Sequence, residues 1–170
     1  MDGEAEYLEA LEGLRRGDFS RLEPLFEGNR SQIVEWCEAG RFRDHPTALA
    51  EAFTCACFLG KISVAEFLLA MGADPSAGDG TGLNAFHWAA NRGKLEAVRL
   101  LVRHKAALET RSMYGGTVLG SGVWAAIHES KPDHLQIIEE LLNAGAQVSE
   151  AGFPTGDSRV DALLRRYGAA

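Results

Sequence analysis

Two stretches of this chain repeat one another at a spacing of 33 residues, measured from Gly60 to Gly93. The first reads Ala52-Phe53-Thr54-Cys55-Ala56-Cys57-Phe58-Leu59-Gly60, then Val64-Ala65-Glu66-Phe67-Leu68-Leu69 and Gly72-Ala73-Asp74. The second reads Ala85-Phe86-His87-Trp88-Ala89-Ala90-Asn91-Arg92-Gly93, then Ala97-Val98-Arg99-Leu100-Leu101-Val102 and Lys105-Ala106-Ala107. A fixed period of this length implies stacked supersecondary units, none of which can bury its apolar face alone. Such a stack offers a long face rather than an enclosed pocket, and that face serves to bind another macromolecule.

Within the second stretch each residue type has a physical use. Gly82 and Gly93 permit backbone angles that a side chain resists, at a turn and at the end of a first helix. Ala89 and Ala90 let two helices approach closely, and Leu95, Val98, Leu101 and Val102 give the following helix its apolar stripe. Trp88 is expected in the core.

The run Asp79-Gly80-Thr81-Gly82-Leu83-Asn84-Ala85-Phe86-His87-Trp88-Ala89-Ala90-Asn91-Arg92-Gly93 resembles the opening of an ankyrin repeat, an Asp and a Gly followed by Thr-Pro-Leu-His, two alanines and a glycine. Asn84-Ala85-Phe86-His87 departs from that tetrapeptide at its first three positions. The resemblance covers residues 46–148 and implies an all-α ankyrin-repeat solenoid of about three core repeats, with degenerate helical caps at both ends. It also implies that His87 hydrogen-bonds neighbouring backbone and ties repeats together, rather than acting as a ligand or base.

A third copy starts on schedule, with Gly115-Gly116-Thr117-Val118-Leu119-Gly120 placed 33 residues after Gly82-Leu83-Asn84-Ala85-Phe86-His87. Downstream, Leu135, Ile138, Leu141, Leu142 and Gly145-Ala146 align only if seven residues are inserted within Val123–His134. Residues Trp124–His128 are read as extending the first helix of that repeat, and Glu129–His134 as a loop in which Pro132 stops the helix.

The organisation expected is one domain over residues 1–170. An N-terminal helical cap covers 5–45, repeats cover 46–78, 79–111 and 112–150, and a capping helix covers 157–168. In the cap, Leu8, Leu11 and Leu14 form one stripe and Phe19, Leu22, Leu25 and Phe26 a second, while Ser31 caps a helix bearing Ile33, Val34, Trp36 and Cys37. Asp157 and Ser158 are N-cap candidates for the last helix.

Composition fits a cytoplasmic protein: 170 residues, 46% hydrophobic, net charge −7. The acidic start resembles no signal peptide, and no apolar run approaches the roughly 20 residues needed to span a membrane. Cys55 and Cys57 lie two apart on an expected helix, a poor disulfide or metal clip, and read as buried thiols.

Arg92, Lys94, Arg99, Arg103, Lys105 and Arg111 cluster in the second repeat, but with Glu96 and Glu109 among them on an acidic chain. They read as a solvated face, so a nucleic-acid partner is not expected. Neither a phosphate-binding glycine loop nor a nucleophile elbow is placed on the elements those motifs require. The densest set of chemically capable side chains is His128, Glu129, Asp133 and His134. Of these, His128, Asp133 and His134 are the alternative reading, a metal or small-ligand site beside the inserted segment, with an enzyme as its extreme form.

What the resemblance implies foremost is a non-catalytic module that recognises a protein partner through a concave hairpin-and-helix face. Transferred by motif position, the contact residues are Thr81, Leu83, Asn91, Arg92, Met113, Tyr114, Gly116 and Trp124, with Phe58 and Leu59 in the first repeat. No cofactor is expected, nor a membrane, and the chain is expected to be a monomer.

Overall fold

The computed structural model describes residues 2–78 and 81–170. These residues are helical throughout, and among them there is no strand, only an isolated antiparallel bridge between Gly78 and Asn84. They form two compact units that meet in sequence at Ala85 and Phe86. The Asp79-Gly80 pair of the repeat motif lies outside the described residues.

The first unit begins with α1 (Asp2–Arg16), followed by a 3-10 helix over Phe19–Phe26. The inward stripe of α1 is Tyr7, Ala10 and Leu14, not the leucine stripe expected, and Leu8 is 55% exposed. Tyr7 sets that rotation. Its ring meets Trp36 edge-on at 5.1 Å and carries the Arg41 guanidinium at 3.9 Å, while its hydroxyl donates to the Arg41 carbonyl at 2.7 Å. In the 3-10 helix Phe19, Leu22 and Phe26 are buried and Leu25 only half-buried. Helix α2 (Gln32–Glu38) starts as read: Ser31 Oγ accepts from the Val34 N–H at 3.3 Å, and Ile33, Val34, Trp36 and Cys37 are buried.

Helices α3 (Pro46–Leu59) and α4 (Ile62–Ala70) carry the first repeat. Gly60 turns the chain between them at φ +74°, and the Lys61 N–H donates to the Ala56 carbonyl at 2.8 Å. Cys55 and Cys57 are fully buried on α3, and Cys37, Cys55 and Cys57 are all free thiols. Burial pushes the Cys57 thiol far above its usual range, so it stays protonated.

The second unit holds two helix pairs, α5 (Ala85–Asn91) with α6 (Leu95–Arg103) and α7 (Val118–His128) with α8 (His134–Asn143). A short 3-10 helix (Val148–Ala151) and α9 (Ser158–Arg166) follow. The repeat is visible in single bonds. Ala73, Ala106 and Ala146 each donate an N–H, at 3.0 Å, to the carbonyl of Leu68, Leu101 and Leu141 respectively. The first step between these bonds is 33 residues and the second 40, which recovers the seven-residue insertion.

Three local readings change. Trp88 is half-buried, because the inward face of α5 runs through Phe86, Ala89 and Ala90, and position 88 lies about 200° around the helix from Phe86. On α6 the buried residues are Ala97, Val98, Leu100 and Leu101, with Leu95 and Val102 at the margin. Finally, α7 ends at His128, four residues before Pro132, so the proline does not stop it, and His134 is the first residue of α8 rather than the end of a loop. At the far end Asp157 is the N-cap of α9, accepting from the Arg159 and Val160 N–H groups at 2.9 and 3.2 Å.

Candidate protein-binding face

A tight hairpin precedes α7. The Ser112 N–H donates to the Gly116 carbonyl at 2.8 Å and the Gly115 N–H to the Ser112 carbonyl at 2.9 Å, with Gly115 at φ +81°. Arg111 braces the loop, donating to the Gly115 carbonyl at 2.8 Å and to Glu150 Oε1 at 3.0 Å. The backbone is therefore fixed while the tip residues project: Met113 is 67% and Tyr114 79% exposed. Gly116 is half-buried at the base of the loop.

Thr117 then caps α7, its Oγ1 accepting from the Gly120 N–H at 3.2 Å. That helix buries Val118, Leu119, Val123, Ala125 and Ala126. Trp124 falls on its outer side, 50% exposed, with the His128 ring tilted at 38° against it and centroids 4.9 Å apart. The pairing follows from their i, i+4 spacing on the helix. Trp124, Ile127 and His128 line one shallow groove of about 280 Å³ together with Glu150, Ala151 and Pro154. The sequence reading found Trp124 but not this groove. The Trp124/His128 spacing was available as a signal, whereas the 150–154 wall is brought in only by the fold.

The other motif-transferred residues are distributed. Thr81 and Leu83 are half-buried in the first unit, where the Thr81 methyl stands in the space a Cβ on Gly17 would need. Asn91 and Arg92 are half-buried at the end of α5 in the second. Phe58 packs edge-on against Phe19 at 5.3 Å.

Two histidines that invited a chemical reading are bonded to backbone instead. His87 is buried, and its Nε2 donates to the Thr110 carbonyl at 2.8 Å, which pins α5 to the segment entering the next repeat. His134 is equally buried. Its Nδ1 accepts from the Lys131 N–H at 2.9 Å and its Nε2 donates to the Asn91 carbonyl at 3.0 Å. Of the alternative reading's His128, Asp133 and His134, His134 has both ring nitrogens engaged with backbone. It is a structural pin that seats the inserted segment against the end of α5. Among the described residues no group of three or more His, Cys, Asp or Glu side chains is placed to hold a metal ion.

The basic residues of the second repeat are spent partly on ion pairs. Arg99 bridges Glu96 at 2.7 Å and Glu140 at 2.9 Å, which joins α6 to α8.

The three-copy ankyrin-repeat model matches residues 52–151. The chain belongs to the ankyrin-repeat family. Ankyrin repeats are generally protein-binding modules, and the matched segment contains the Ser112–Gly116 hairpin, Trp124, His87 and His134. The chain is also similar to alpha-latroinsectotoxin-Lt1a of Latrodectus tredecimguttatus, 30% identical over 101 residues. That alignment covers 59% of this chain and 7% of the toxin's length. Among the described residues no helix is long and apolar enough to cross a membrane.

Proposed function

We propose that this ankyrin-repeat chain is a non-catalytic recognition module that binds a protein partner through its hairpin tips and the exposed side of its first helices. The contact residues proposed are Thr81, Leu83, Asn91, Arg92, Met113, Tyr114, Gly116 and Trp124. One observation carries the reading: Met113, Tyr114 and Trp124 are well exposed on a rigidly hydrogen-bonded hairpin and the helix it leads into. Aromatic and methionine side chains presented on fixed backbone are the anchors that contribute most at protein interfaces. Three free, buried thiols suit a reducing compartment, so the proposal places the protein in the cytoplasm, as a monomer.

The test is affinity capture from the native host's lysate, comparing the wild type with a Met113→Ala/Tyr114→Ala/Trp124→Ala variant whose fold is checked by circular dichroism. A protein retained by the wild type and lost by the folded variant supports the reading. A protein held equally by both removes these residues from the interface.

A further inference from the structure

We propose that the groove beside Trp124 receives an arginine side chain of the protein partner. This rests on the protein-binding reading and specifies what the partner presents.

Four features of the groove favour a planar cation. The Trp124 indole is half-exposed, with the His128 ring tilted against it, so it offers a π face of the kind that attracts guanidinium groups. Helix α7 ends at His128, and the carbonyls of its last turn put the negative end of the helix beside those rings. Glu150 lines the same groove, and its Oε1 already accepts a guanidinium, that of Arg111 at 3.0 Å. Its other oxygen, Oε2, makes no hydrogen bond among the described residues, which leaves room for a second donor. Glu129, exposed directly after α7, adds negative charge.

Shape and field agree. Ile127 and Pro154 supply apolar walls for the methylenes of a long basic side chain. A volume of about 280 Å³ suits one such side chain and falls below the usual size of a drug-like ligand site. The net charge of −7 draws basic partners toward the chain.

The experiment titrates the full 15N-labelled chain at low salt with a hexapeptide containing one arginine, and with the same peptide carrying citrulline or lysine. The readout in wild type is the Trp124 indole N–H signal, assigned by its loss in Trp124→Leu, and in every variant the backbone amide signals of Gly120, Ile127 and Gly152, which line the groove. The arginine peptide should shift this signal saturably and bind at least fivefold more tightly than the citrulline peptide, the size expected of a modest cation–π contact. Glu150→Gln should weaken it about two- to fivefold. Trp124→Leu, which keeps apolar bulk without the π face, should abolish discrimination between arginine and citrulline. Equal binding of the two peptides, binding of neither, tighter binding of lysine, or discrimination that survives Trp124→Leu would each overturn the proposal. If the peptides fail while capture still depends on Met113 and Tyr114, the protein-binding reading stands and this one falls. If the arginine peptide binds but capture is unaffected by the triple variant, which lacks Trp124, the partner does not use the groove and both the proposal and the wider face fall.

Discussion

The α5–α6 pair and the α7–α8 pair are built on one pattern, and the second carries the groove beside the exposed Trp124. Their inward positions correspond closely: Ala97, Val98, Leu101 and Ala106 on one side, Ile137, Ile138, Leu141 and Ala146 on the other, all buried. What differs lies between the helices. Helix α5 stops at Asn91 and turns through Gly93 at φ +70°. Helix α7 runs four residues past the matching point, ends without a glycine, and reaches α8 through a longer link. The matching position to Asn91 is Trp124, and His128 lies on the extension. A repeat thus tolerates an insertion between its helices because residues 128–133 stay exposed while the buried set keeps its spacing. Ala125 and Ala126 of the extension are buried on α7, and His134, also buried, faces back to the Asn91 carbonyl of the shorter repeat.

The largest break in this comparison should come from that histidine. His134→Ala removes two part-buried hydrogen bonds and leaves the Lys131 N–H and the Asn91 carbonyl without their His134 partner. A loss of about 2–4 kcal/mol is expected, read as a lower urea midpoint at unchanged m-value. A change below about 0.5 kcal/mol would mean that the insertion is not seated by His134.

Next comes the turn of the shorter repeat. Gly93 has positive φ, and a Cβ there would meet the Lys131 side chain at 3.0 Å. Gly93→Ala should therefore cost about 1–2 kcal/mol. Gly122 is the contrasting case, a glycine within α7 whose added Cβ would find ordinary contacts at 3.7 Å and beyond. Gly122→Ala should stabilise by about 0.5–1 kcal/mol, because alanine is the better helix former. Thermal melts of the two variants should move in opposite directions. If both fall, the contrast between turn glycine and helix glycine fails.

A third test uses the ends of the second helices. Gly72 and Gly145 turn the chain there at φ +98° and +105°, but in the α5–α6 repeat the residue is Lys105, at φ +53°. Lys105→Gly should stabilise by about 1 kcal/mol by removing a side chain from left-handed backbone. A fall in melting temperature would contradict this.

The smallest effect concerns pH. Hydrogen bonds from Arg159, and from the Val160 N–H, hold the Asp157 carboxyl well below the usual range, at about 2. A depressed folded-state pKa means that the contribution is complete above the unfolded value, near 3.9, and is lost as pH falls from there through about 2. Wild type should lose stability across that interval more steeply than Asp157→Asn. Parallel pH curves for the two proteins would remove Asp157 from the account of acid sensitivity.

The repeat was legible in the sequence because its signals are local and periodic: the 33-residue spacing, the paired alanines, the turn glycines and the serine and aspartate caps. The seven-residue insertion was legible too, as a break in that period. What escaped were positions decided by neighbours distant in sequence. The face of α1 is chosen by Tyr7 packing on Trp36 and Arg41, which overrides a leucine spacing that fits a helix equally well. The role of His134 depends on Asn91, 43 residues away. The groove beside Trp124 needs the 150–154 segment to form its wall. A histidine in a polar loop reads as chemistry until its hydrogen-bond partners are known.

The central claim, that the hairpin tip and the outer side of α7 make up a protein-binding face, is met most directly by site-specific photo-cross-linking in the native host. A benzophenone side chain is placed in turn at positions 114 and 124, and, as a control, at the exposed position 8 on α1. The account predicts that positions 114 and 124 capture the same protein and that position 8 does not. Capture of different proteins at 114 and 124, or equal capture at all three positions, would contradict it.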